Sequence, residues 1–207
     1  MAMQNQLVDF EIEGLPLIDA DLQLWRQVEL GRSYDSLLQA LIEDTAWRQE
    51  EITVYGKPYL QPRLSAWYGN LAYSYSGIQL EPLPWTSTLL GIKLQVEALV
   101  DLEFNSVLLN YYRNQNDSMG MHSDDERELG PQPAIASLSL GEERSFLLKH
   151  KSRNDLKTVK LALPTGSLLL MQGDTQKYWR HGINKEKQPC GPRINLTFRS
   201  IRSPCSQ

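Results

Sequence analysis

Beyond Phe104 the chain runs as a series of short apolar stretches, each of strand length and each closed by a turn signal. SVLLNYY (106–112), AIASLSL (134–140), RSFLLKH (144–150), TVKLAL (158–163), GSLLLMQ (166–172) and INLTFRSI (194–201) follow one another. Branched and aromatic residues dominate them, as a pleated, half-buried surface requires. Six such strands at close spacing, after a helical preface, predict a jelly-roll sandwich or a small barrel. The link SLSLGEERSFLLK, centred on Gly141, reads as a hairpin turn.

The first half reads differently. Asp19 is placed to cap a helix over DLQLWRQVEL (21–30), and Ser33 a second over YDSLLQALIEDTAWR (34–48), with Leu37, Leu38, Leu41 and Ile42 as its apolar stripe. EITVYGKPYL (51–60), interrupted by Gly56 and Pro58, reads as a hairpin or an edge. SAWYGNLAYSYSG (65–77) reads as irregular strand and loop. Pro84 and Thr86 introduce a third helix over TSTLLGIKLQVEALVDLEF, 19 residues long. With no repeat or linker, 207 residues make one domain.

The N-terminal stretch MAMQNQLVDFEIEGL has neither a basic n-region nor an apolar h-region, so a non-secreted protein is expected, cytoplasmic in a bacterium or nuclear in a eukaryote. No apolar run approaches the roughly 18 residues a bilayer span needs. Cys190 and Cys205 make no disulfide framework and read as inert thiols. The net charge of −4 hides an asymmetry: residues 1–50 and 51–143 each carry −7, whereas residues 144–207 carry +10. Such a split predicts a basic face and removes total charge as a guide to partners.

The chemistry concentrates in MHSDDEREL (121–129). On an extended segment His122 and Asp124, two residues apart, project to the same side and can share one metal ion. The remaining histidines are His150 and His181. His150 lies in KHK, whose cations disfavour a metal, so His181 in YWRHGI is the candidate third ligand. Two histidines and one carboxylate on one face suit non-haem Fe(II) and oxygen chemistry. Read blandly, H-x-D is a surface loop with an incidental histidine. In RINLTFR (193–199) alternation puts Arg193, Asn195, Thr197 and Arg199 on one face. That face either meets water or aims its guanidinium forks into a barrel mouth, where they would hold a carboxylate bidentately.

LLNYYRN, MHSDDEREL, HGI and PRINLTFR together resemble the AlkB family of Fe(II)- and 2-oxoglutarate-dependent nucleic-acid dealkylases, and most of all a member acting on double-stranded DNA. The resemblance runs from about residue 50 to residue 201 and includes Val-Tyr-Gly-Lys (54–57), Pro-Arg (62–63) and Tyr-Ser-Tyr-Ser-Gly (73–77). It implies an α+β, mainly β fold: a double-stranded β-helix (jelly-roll) core over 104–202, a nucleotide-recognition lid over 51–85, and a helical N-terminal extension over 1–50. It implies Fe(II) on His122, Asp124 and His181. It further implies 2-oxoglutarate held by Asn110, Tyr112, Arg193, Asn195 and Arg199, with Arg199 gripping the far carboxylate. O₂ is then consumed, succinate, CO₂ and an aldehyde are released, and the alkylated base is restored.

The same resemblance places Asp125 against the exocyclic amino group of the lesion, where a carboxylate favours cationic 1-methyladenine and 3-methylcytosine; etheno adducts are further candidates. It implies Tyr75 as the aromatic that stacks on the flipped base, with Tyr73 nearby, and Val54, Tyr55 and Gly56 as the finger filling the vacated stack. The family member acting on double-stranded DNA carries phenylalanine where Tyr55 stands. Arg63 is implied as a lesion-side contact, and the basic stretch 144–160 as a phosphate-binding surface. The expected partner is alkylated DNA, double- or single-stranded, met by a monomer with no membrane association. An alternative keeps the cofactors but acts on RNA, protein or a small molecule. A third possibility is a jelly-roll binding module that has lost its iron.

Overall fold

Two facing antiparallel sheets frame the protein, and the computed structural model describes residues 12–54, 56–70, 73–75 and 78–202. The strands are β1 (Ile12–Gly14), β2 (Asp21–Trp25), β3 (Glu51–Val54), β4 (Lys57–Leu60), β5 (Leu64–Gly69), β6 (Tyr73–Tyr75), β7 (Ile78–Leu80) and β8 (Ser106–Tyr112). They continue with β9 (Met119–His122), β10 (Ile135–Gly141), β11 (Arg144–His150), β12 (Val159–Leu163), β13 (Leu168–Gln172), β14 (Trp179–Ile183) and β15 (Arg193–Arg199). The helices are α1 (Tyr34–Asp44), α2 (Ser87–Val100) and α3 (Thr175–Tyr178). The larger sheet has the order β1-β2-β13-β10-β15-β8-β5 and the smaller β12-β11-β14-β9; β3-β4 and β6-β7 form separate hairpins. This mostly β, two-sheet arrangement is that of a jelly roll.

Hydrophobic burial explains the layering. On one side of the larger sheet Val107, Leu109, Leu138, Ile194, Leu196 and Phe198 pack under α1 and α2 with Leu37, Leu41, Leu89 and Ile92. On the other side Leu108, Tyr112 and Leu169 meet Phe146, Leu148, Trp179 and Ile183 of the smaller sheet. Strand β15 is therefore buried along its whole length on both faces, so its polar side does not meet water.

Several expectations are corrected. Residues 21–25 form a strand, not a helix: Leu22 and Leu24 alternate into the inter-sheet core while the backbone pairs with the open edge of β13. Asp19 accordingly caps nothing; it sits in a left-handed turn (φ 58°) and faces His150. The helical content of the first fifty residues thus reduces, among the described residues, to α1, whose Ser33 hydroxyl accepts from Ser36 N at 3.3 Å.

The link at Gly141 is not a hairpin. β10 pairs with β13 and β15, whereas β11 pairs with β12 and β14, so the chain changes sheets there. Gly141 has φ 89°, and a Cβ would stand 2.3 Å from the Pro192 carbonyl oxygen, so both backbone conformation and space demand glycine. The third helix ends at Val100, earlier than expected, with Asp101 left-handed (φ 53°). Within residues 51–85, β5 pairs with β8 as the edge strand of the larger sheet and lies in sequence between the two small hairpins.

Candidate metal centre and co-substrate cavity

His122 ends β9 and His181 lies within β14, and the two are direct antiparallel partners. Their ring centroids stand 4.3 Å apart. Gly182 makes this approach possible: a Cβ there would be 2.8 Å from the Met119 carbonyl oxygen. Asp124 follows two residues after β9. The candidate ligand atoms of His122, Asp124 and His181 all lie within 4.8 Å of one another. The set fits a divalent metal by its protonation as well as its spacing. His122 Nδ1 is 2.9 Å from the Gly120 carbonyl oxygen, which can only accept, so Nδ1 carries the proton and Nε2 presents its lone pair.

Burial keeps both imidazoles neutral. It pushes His122 below its ordinary range, against the opposing pull of Asp124. Burial, then the neighbouring His122, pushes His181 down to about 3. Burial alone would raise the Asp124 carboxyl, but Arg199 and the two histidines overcome it and hold the group down at about 2. The centre thus offers two neutral nitrogens and one anion, with Asp124 Oδ2 buried and accepting no hydrogen bond among the described residues. An ion would satisfy that oxygen.

Around the centre one cavity is lined by Asn110, Tyr112, Arg193, Asn195, Thr197 and Arg199 together with the three candidate ligands. Register brings them there: Arg193 pairs with Tyr112, and Asn195 with Asn110 on one side and Ser139 on the other. Arg193 is fully buried, its Nη2 donates to Ser139 Oγ at 2.9 Å, and its ring partner is Tyr112 at 5.3 Å. Its Nε and Nη1 have no acceptor among the described residues. Burial pulls this guanidinium down to about 10. A buried cation with two unmatched donors at one end, and a metal cluster at the other, suit a bidentate chelator with a distal carboxylate, as 2-oxoglutarate is.

Arg199, expected at the far carboxylate, lines the same cavity. Its Nη2 donates to Asp124 Oδ1 at 2.7 Å, beside the candidate metal ligands. Arg63 turns inward: it is 6% exposed and its Nε donates to Asn110 Oδ1 at 2.7 Å. Asp125 lies outside the cavity and pairs with Lys151 at 3.0 Å. Tyr55 falls outside the described residues, as do the side chains of Val54, Tyr73 and Tyr75, while Gly56 (φ 75°) stands in the β3-β4 link. His150 is a core histidine: its Nδ1 accepts from Arg153 N at 2.9 Å and its ring stacks on Tyr178.

Several supporting residues escaped the sequence reading. Ser137 Oγ accepts from Asn195 Nδ2 at 2.8 Å, and Ser137 and Ser139 alternate in ASLSL, a pattern that did carry the signal. Gln176 Oε1 accepts from Asp124 N at 2.9 Å, and Ser123 Oγ donates to Trp179 O at 2.8 Å, so the ligand turn is stapled to α3 and β14. Phe146 stacks on His181 at 5.2 Å and fixes its ring plane.

A two-histidine, one-carboxylate cluster inside a jelly roll defines a non-haem iron oxygenase, and the comparisons agree. Residues 30–199 match the 2OG-Fe(II) oxygenase superfamily, and the chain belongs to it. Membership brings Fe(II), 2-oxoglutarate and O₂ as its reagents. More particularly, the chain is 45% identical over 175 residues to alpha-ketoglutarate-dependent dioxygenase alkB homolog 3 of Bos taurus, covering 81% of this chain and 61% of that protein. It is 40% identical over 159 residues to DNA oxidative demethylase ALKBH2 of Mus musculus, covering 73% and 66%. The chain thus spans about six-tenths of the length of these relatives. The solved structure of OsALKBH1 superposes with a TM-score of 0.62 at 16% identity, over 92% of this chain and all of that one, and shows the shared fold.

Proposed function

We propose that this protein oxidatively removes alkyl groups from base nitrogens in nucleic acid, with DNA carrying 1-methyladenine or 3-methylcytosine as substrate. The observation that carries the reading is one cavity joining a neutral-His, anionic-Asp cluster to a buried guanidinium with two donors unmatched among the described residues. In this reading His122, Asp124 and His181 hold Fe(II), which with O₂ and 2-oxoglutarate supplies the oxidising power. Arg193 takes the distal carboxylate of the co-substrate, helped by Asn110, Tyr112 and Asn195. Arg199 holds Asp124 in its ligating pose.

The substrate side rests on Asp125, beside the metal turn and exposed enough to meet a base. Tyr73, Tyr75, Val54, Tyr55, Gly56 and Arg63 belong to the same side by family resemblance. The outer face of the smaller sheet supports a polyanionic partner: Lys149 and Arg180 are cross-strand neighbours, both exposed, with Lys160 on the next strand. Like charges placed opposite each other cost stability unless an anion shares them. The printed names of the relatives, a DNA oxidative demethylase among them, point the same way.

The test is formaldehyde release from an oligonucleotide with one 1-methyladenine, given Fe(II) and 2-oxoglutarate. Single-stranded DNA, duplex DNA and RNA versions compare strand preferences. Succinate formation without formaldehyde on any of them would reject nucleic acid as the substrate.

A further inference from the structure

Lys151, just beyond β11, makes two contacts that no role above requires. Its Nζ donates to Asp125 Oδ2 at 3.0 Å and to the Gln176 carbonyl oxygen at 2.8 Å. Gln176 in turn holds Asp124 N, so this ammonium is anchored to the segment that positions the metal turn. The pair is partly exposed: the Lys151 side chain is 24% exposed and that of Asp125 59%. The Asp125 carboxylate is therefore already engaged by an ammonium in the resting protein. A cationic base that approaches it must compete with Lys151, whereas a neutral base has no charge with which to compete.

We infer that Lys151 is a specificity-determining residue: it occupies the Asp125 carboxylate and sets how strongly a positively charged alkylated base is favoured over a neutral one. The inference rests on the reading that Asp125 faces the lesion. A part-exposed ion pair is weak enough for an incoming cation to displace, and strong enough to tax that displacement about two- to fivefold in affinity. The device discriminates by negative means, since a base must carry charge to gain anything from Asp125.

The experiment is fluorescence anisotropy of two labelled oligonucleotides, one with 1-methyladenine and one with neutral 1,N6-ethenoadenine, on the full chain loaded with Mn(II) and 2-oxoglutarate. The ratio of the two affinities cancels contacts to the phosphate backbone. Lys151→Gln, which removes the charge but keeps a donor for the Gln176 carbonyl, is expected to raise the preference for the cationic base about two- to fivefold. Lys151→Arg is expected to stay near the parent ratio. In an Asp125→Asn background the Lys151→Gln effect is expected to vanish. A ratio that does not rise, or that rises equally without the Asp125 carboxylate, overturns the inference. Binding needs no turnover, so a parent protein that releases no formaldehyde defeats the proposed function and leaves this measurement standing.

Discussion

Arg199 and Asp124 form a fully buried ion pair, with Nη2 2.7 Å from Oδ1 and neither residue more than 1% exposed. The carboxylate therefore serves the fold as well as the metal site. Removing one partner of such a pair strands the other charge in a low dielectric. Asp124→Ala is expected to lose metal-dependent turnover and to lower stability by about 3–5 kcal/mol in urea titration. Asp124→Asn, whose amide oxygen still accepts from Arg199, is expected to lose turnover at a much smaller stability cost. Equal stability losses for the two variants would mean the ion pair carries no special weight.

Arg193 is the test of co-substrate binding. Its Nε and Nη1 are buried and lack an acceptor among the described residues, so a carboxylate placed there gains charge-assisted bonds without displacing others. Arg193→Ala is expected to weaken 2-oxoglutarate binding about 10²- to 10³-fold, as loss of a buried charged hydrogen-bond partner does. Calorimetry with Mn(II) in place of Fe(II) reads it. Arg193→Lys is expected to fall between, because an ammonium keeps the charge but not the fork.

How much of this site was legible follows from particular residues. His122 and Asp124 announce themselves because two-residue spacing on an extended chain is a local property. Arg193, Asn195 and Arg199 do so because alternation is local too. Which end of that strand meets the metal is not local: Arg193 and Arg199 stand about 20 Å apart along one face, and only pairing with β8 and β10 orients it. That pairing, not the alternation itself, sets Arg199 against Asp124. Residues 21–25 were misread because Leu22 with Trp25, and Leu24 with Val28, also match a helical spacing, and the free edge of β13 decided for strand. Gly141 looked like a hairpin because a sheet-switching corner and a tight turn make the same demand on the backbone. Lys151 and Gln176 work through a neighbour's carbonyl, a backbone amide and a side chain 26 residues away in sequence. No pattern of residue types marks such contacts.

Gln176 gives a prediction of its own. It is 1% exposed and its Oε1 is the acceptor for Asp124 N. Gln176→Ala leaves a buried amide without that partner, at a cost of about 1–3 kcal/mol. It also frees the turn that aims the carboxylate, so metal affinity is expected to fall about 10- to 100-fold. Competition of Mn(II) against a chelator dye measures the second effect. Gln176→Glu, which keeps an acceptor, is expected to recover much of the metal affinity.

Asp117 controls the loop that leads into β9, and so the approach of His122. Its carboxylate accepts from Arg113 N, Nε and Nη2 at 2.9, 2.8 and 2.9 Å, and its carbonyl oxygen accepts from the buried Arg144. Burial would raise its pKa, but the bonds from Arg113 win and hold it below the usual 3.8. A depressed carboxylate adds stability that is complete above its unfolded value and lost as pH falls through the folded one. Asp117→Asn is therefore expected to cost about 1–2 kcal/mol at neutral pH, discounted for the half-exposed Arg113 side chain. That gap is expected to close as the pH is lowered beneath 3.8. Urea titrations of parent and variant at neutral pH and in steps below that value check both the size and the sign; a gap that widens on acidification would reject the ionised pair as its source.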